Sequence, residues 1–192
     1  MLKLIKYLII VIIFTVSFNC VIIRDSITEN KNIEKKNKKI LAYKSLVRGN
    51  LNGFEFTHPQ DGPRNKSWRT KINSISTNYF ESVREESKEG DYILDLEINE
   101  KEEYNGLLTI LTGFTLYLYP SKSKLEWSMK ANVKNNKGEL ISTTEKKIKF
   151  TLIQQLFMIF LFSDNYFSQI GDIQDDLINA VFLDLVNNKN LQ

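Results

Sequence analysis

This chain of 192 residues has very few of the groups on which catalysis and metal binding depend. Its single cysteine, Cys20, excludes an internal disulfide and a Cys-based zinc site. Its single histidine, His58, excludes a His-rich metal centre. Charge of one sign is also missing. The formal net charge is +3, and with Lys3 and Lys6 set aside the balance is 24 basic to 23 acidic residues. A body so close to neutral has no global field that draws nucleic acid. Arginine is confined to Arg24, Arg48, Arg64, Arg69 and Arg84, while lysine, isoleucine and asparagine abound, a coding bias rather than a functional signal. There is no phosphate-cradling glycine loop, no HExxH and no GxSxG. No nucleophile, base and orienting group fall into a recognisable pattern. The expectation is a protein that is not an enzyme and carries no cofactor and no metal.

What the chain does have is enough apolar sequence, 42% of residues, to build one core in one domain. Much of the rest of that apolar content sits at the front, in MLKLIKYLIIVIIFTVSFNC. Lys3 and Lys6 make a short positive region, Tyr7 to Phe18 an apolar stretch of signal-peptide length, and Cys20 stands where cleavage is expected. These 20 residues resemble a bacterial lipoprotein signal, with Ser17 and Asn19 in a relaxed, spirochaete-like lipobox. The resemblance implies cleavage before Cys20, lipidation of its sulfur and an anchor in the cell envelope, facing away from the cytoplasm at the outer membrane. Two other outcomes stay open. Thr15-Val16-Ser17 suits ordinary signal peptidase, and Tyr7 to Ile23 suits a retained anchor, though as a helix it spans only roughly 25 Å against a ~30 Å hydrocarbon core.

Arg24 to Lys39 reads RDSITENKNIEKKNKK, with two isolated isoleucines and dense charge. It buries too little to offset its ordering entropy and reads as a flexible basic tether. Its lysines are solvated or touch anionic head groups. The run lacks the interleaved aromatics of a nucleic-acid binder. The organisation expected is therefore residues 1–19 as signal peptide, 20–39 as lipidated N-terminus and tether, and 40–192 as a single α+β domain.

Within that domain Ile40 to Val47 reads as a first strand, which Leu51 to Thr57 extends or follows. Thr57 to Asn65 is a turn-rich loop. Asn65 caps a predicted helix along Trp68, Ile72, Ile75, Tyr79 and Val83, stopped by Gly90. Tyr92, Leu94, Leu96 and Ile98 alternate with Asp95, Glu97 and Asn99, as on a half-buried strand. Leu107 to Tyr119 reads as a second strand of this set, Leu125 to Val133 as a third, and Glu139 to Phe150 as a fourth after the turn Asn135–Gly138. A last helix carries Ile170, Ile173, Leu177, Val181 and Leu185. The predicted fold class is α+β, a two-layer sandwich in which two helices cover one face of an antiparallel sheet of four or five strands, in the order β-α-β-β-β-β-α. This order is similar to that of small envelope lipoproteins such as the lipopolysaccharide-assembly lipoprotein, a likeness of architecture that carries no function.

Thr151 to Phe162, TLIQQLFMIFLF, is the most apolar stretch after the leader. It reads as a buried strand-to-helix passage, or as a surface for a partner or membrane with Phe157, Met158, Phe160 and Phe162 as its contacts. His58 is expected to be a solvated loop histidine. The Asp95, Glu97 and Asn99 set and the Asp172, Asp175 and Asp176 set are expected to be solvent faces. The function these features favour is a membrane-anchored, non-enzymatic binding module for envelope assembly or transport, with an envelope protein as partner. The alternative is a surface-exposed or secreted ligand-binding protein.

Overall fold

The computed structural model describes residues 20–24, 37–85, 90–115, 119–154 and 166–187. Seven strands form one open, mixed sheet: β1 (Cys20–Arg24), β2 (Asn37–Leu51), β3 (Phe54–Thr57), β4 (Phe80–Glu85), β5 (Tyr92–Tyr104), β6 (Ser121–Lys134) and β7 (Leu140–Gln154). Three helices accompany them among the described residues: α1 (Pro63–Ser76), α2 (Gly106–Phe114) and α3 (Tyr166–Asn187). The strands lie in the order β1-β7-β6-β5-β2-β3, and β4 also pairs with β2. Antiparallel pairing dominates, but β2 runs parallel to both β5 and β4. The class is thus α+β as expected, with more strands and one more helix.

Alternation decides which face is buried. Leu41, Tyr43 and Val47 of β2, Leu94, Leu96 and Ile98 of β5, and Trp127, Met129, Ala131 and Val133 of β6 all point into one core. Ile148 and Phe150 of β7 join them. α1 brings Trp68 and Ile72, and α3 brings Ile173, Leu177, Ile178, Val181, Phe182 and Leu185. The two helices pack on each other and on the sheet. Each large apolar side chain withdrawn here contributes about 1.5–3 kcal/mol before entropy is counted. On the opposite face Asp95 pairs with Lys134 at 2.5 Å and Glu97 with Arg48 at 2.8 Å, in contact with solvent.

Three local expectations are corrected. α1 ends at Ser76, well short of Gly90, because Ser76 and Thr77 turn their hydroxyls back onto the carbonyls of Asn73 and Ser74. The chain then turns, and Tyr79 and Phe80 dock on Phe182 at ring distances of 5.9 and 6.1 Å. Val83 accordingly sits in β4, not on a helix face. The N-cap of α1 is Gly62 with Pro63 at the first turn, where a missing N–H costs nothing, and Asn65 lies buried one turn in. Finally, Leu107–Phe114 of the expected strand Leu107–Tyr119 is helical. Asn105 accepts from the N–H groups of Leu107 and Leu108, at 3.1 and 3.2 Å, and starts the helix α2.

The register also locates the two ends of the sheet. Cys20 pairs with Gln154, and Gln154 with Ser121. Ser123 pairs with Tyr104, and Glu102 with Leu51. The Cys20, Gln154 and Ser121 row lies outermost at this end, with Tyr104–Ser123 two residues and Leu51–Glu102 four residues inside it, and α2 crosses there from β5 to β6. The β6–β7 turn, with Gly138 at φ 83°, lies at the other end. Cys20–Arg24, read from the sequence as the head of the tether, is an edge strand, and the chain that follows it joins two strands of the same sheet.

Candidate functional site

The densest polar cluster sits where β5 passes under the first turn of α1. Glu100 continues the inward series Leu94, Leu96 and Ile98, so the alternation that builds the core also carries a carboxylate inward. An inward charge needs partners. Arg64 Nε donates to both Glu100 oxygens, at 2.7 and 2.8 Å, and Trp68 Nε1 donates to Oε1 at 2.6 Å. The Arg64 guanidinium also lies over Trp127, 4.9 Å from the ring centroid, and Trp127 meets Trp68 edge-on at 5.6 Å. His58 Nε2 closes the cluster 3.7 Å from Glu100 Oε2.

The loop carrying His58 is held from several sides. Its backbone N–H donates to the Val47 carbonyl at 3.0 Å. The buried Asn65 amide donates to the carbonyls of His58 and Pro59, at 3.0 and 2.8 Å. The imidazole meets the Phe56 ring edge-on at 5.0 Å, and Phe56 lies over Gly49, where a Cβ would collide with it. A cleft of about 270 Å³ opens beside the cluster, lined in part by Phe56, His58, Arg64, Glu100, Trp127 and Ile170. Lys101, which also lines this cleft, pairs with Glu103 at 2.8 Å, which raises the ammonium and lowers the carboxyl from their ordinary values.

The groups gathered here are one carboxylate, one guanidinium and one indole N–H joined by hydrogen bonds, with one imidazole beside them. No hydroxyl or thiol is among them. Because Glu100 accepts from Arg64 and Trp68 together, it serves to position those two side chains. What the cleft presents to a visitor is an aromatic wall, the edge of a guanidinium and an imidazole, a lining suited to a small molecule with an apolar body and a hydrogen-bond acceptor.

Against the sequence-based expectations, His58 is half-buried, with Nε2 facing Glu100 Oε2 at 3.7 Å, rather than simply solvated. Asp61 is exposed. Asp95 and Glu97 are spent on ion pairs of the solvent face. Asp175 pairs with Lys71 and Asp176 with Arg24, and Asp172 is exposed. Among the described residues no three His, Cys, Asp or Glu side chains are placed to hold a metal ion. Cys20 opens β1. Phe157, Met158, Phe160 and Phe162 lie outside the described residues. Glu100, Arg64, Trp68 and Trp127 escaped notice as a set, although Arg64 and Trp68 stand one helical turn apart and Glu100 is a charge on an inward strand position.

No protein-family model matches the chain, and no curated protein matches it in sequence. Solved structures with a similar course exist at low identity. A minor lipoprotein from Acinetobacter baumannii is 12% identical with a TM-score of 0.40, covering 81% of this chain and 93% of its own. A protein described as a neuraminyllactose-binding hemagglutinin homolog from Helicobacter pylori is 10% identical with a TM-score of 0.43, covering 84% and 91%. A PelC dodecamer from Paraburkholderia phytofirmans is 12% identical with a TM-score of 0.36, covering 89% and 99%. Among the described residues no helix is long and apolar enough to cross a membrane.

Proposed function

We propose that this protein is a lipid-anchored, non-enzymatic binding module of the cell envelope, acylated at Cys20 and facing away from the cytoplasm at the outer membrane. It serves envelope assembly or transport as an accessory that binds an envelope protein. The observation that carries this reading is the position of Cys20. The one thiol of the chain, which an apolar leader precedes, belongs to the first residue of an edge strand.

A palmitate analogue fed to cells is expected to label wild type and not Cys20→Ala, and the variant is expected to leave the membrane fraction. Equal labelling of both, or an intact Met1 in the mass of the purified protein, overturns the anchor. A second reading, a surface-exposed or secreted ligand-binding protein, is favoured by the cleft beside Trp127 and Arg64. It predicts a soluble mature chain without lipid and tryptophan fluorescence that responds to an occupant of the cleft.

A further inference from the structure

We infer that the end of the sheet carrying Cys20 lies directly on the membrane, with Leu107, Ile110, Leu111 and Phe114 of α2 and Phe54 of the β2–β3 hairpin in contact with lipid. This rests on the anchoring proposed above.

The first observation is that α2 is inside out. Its apolar residues recur at the spacing of one helical face, yet Leu107 is 70% exposed, Ile110 58%, Leu111 42% and Phe114 85%. The one buried residue is Thr112, whose hydroxyl donates to the Leu108 carbonyl at 2.7 Å. A nine-residue helix is marginal in water unless its apolar face is covered. Roughly 13 Å long, it is too short to span a bilayer and suited to lying in the interface, where such a face sinks about 5–10 Å.

The second observation is where this face points. The row Cys20, Gln154, Ser121 puts the head of β1 at the end where α2 crosses. Phe54, 72% exposed, stands at the same end. Asn52, in the left-handed region at φ 50°, ties that hairpin to β5: its N–H donates to the Glu102 carbonyl and its Oδ1 accepts from the Tyr104 N–H, both at 2.9 Å. The turn at the opposite end, Asn135–Glu139, has no apolar side chain.

The third observation is the lack of slack. Cys20 is itself paired in the sheet, so an acyl group on its sulfur holds this row at the lipid surface. A second copy of the chain would cover the stripe equally well, but it would not account for the stripe sharing an end with Cys20. A bilayer accounts for both.

The test uses full-length protein carrying Phe114→Cys or, at the far end, Lys137→Cys, purified in its mature form and labelled with a nitrobenzoxadiazole maleimide. Each is placed in vesicles of phosphatidylethanolamine and phosphatidylglycerol, with and without doxyl-lipid quencher, and the mass of each sample reports acylation of Cys20. The label at 114 is expected to emit to the blue and to be quenched several-fold more than the label at 137. Emission at 114 as aqueous and unquenched as at 137, on acylated, vesicle-bound protein, overturns the inference. A blue-shifted label that lipid quencher leaves untouched also overturns it, because protein then covers α2. An unmodified Cys20 together with lipid quenching at 114, measured with Cys20→Ser to keep one thiol, ends the anchoring reading and leaves the membrane-facing end standing.

Discussion

Glu100 holds Arg64 through both carboxylate oxygens, 2.7 and 2.8 Å from Nε, while the Arg64 guanidinium lies over Trp127, 4.9 Å from the ring centroid. Two strands, β5 and β6, and the helix α1 are locked together at this point. Glu100→Ala leaves a guanidinium and an indole N–H without their acceptor in a half-buried site, and is expected to cost about 2–4 kcal/mol in urea unfolding. Glu100→Gln keeps an acceptor and is expected to lose less. Equal stability of Glu100→Ala and wild type would show that water replaces the carboxylate without penalty.

The contrast between the two apolar populations is testable. Leu107→Ser, Ile110→Ser and Phe114→Ser are each expected to change unfolding stability by no more than about 0.5 kcal/mol, since these side chains are already exposed. Met129→Ala, in the centre of the core, is expected to cost about 2–5 kcal/mol. Denaturation midpoints at constant m-value decide the matter, and a large loss at Phe114 would place α2 in the core.

Asn105→Ala removes the side chain that accepts from Leu107 and Leu108. The loss is expected to be about 1 kcal/mol and confined to α2. Hydrogen exchange of the Leu107 and Leu108 amides should accelerate while the amides of β5 keep their protection; unchanged exchange in α2 would mean the cap is redundant.

Tyr43 supplies the pH dependence. Burial first, and then the charge of Glu85, raises its phenol above the ordinary 10.0, against a lowering by Arg69; its hydroxyl donates to Asn73 Oδ1 at 2.9 Å. The folded state therefore keeps its proton where the unfolded chain loses one. This contribution is complete below pH 10 and falls as pH rises above that value. Alkaline unfolding monitored by tyrosinate absorbance is expected to flatten in Tyr43→Phe. An unchanged slope would assign the transition to other groups.

The strands with a strict two-residue period were legible in the sequence. Leu94, Leu96 and Ile98, and Trp127, Met129, Ala131 and Val133, face the core as their alternation predicts, and the last helix buries Ile173, Leu177, Val181 and Leu185 on its predicted face. Leu107–Phe114 misled because its apolar residues also fit a strand; the steps from Leu107 to Ile110, Leu111 and Phe114 fit a helix, and the cap at Asn105 decides between them. Tyr79 and Val83 misled because they prolong the period of α1 past the point where Phe182, far along the chain, draws Tyr79 and Phe80 into another element.

The sequence by itself determined the composition of the core and the solitary status of Cys20 and His58, because periodicity and count are local properties. It left open what meets what. Only the tertiary structure set Glu100 under Arg64 and Trp68, and only the strand register set Cys20 at the end where α2 turns its apolar side outward. Hydrogen-bond partners on separate strands and helices are fixed by the packing of the whole sheet, and no short stretch of residues contains that information.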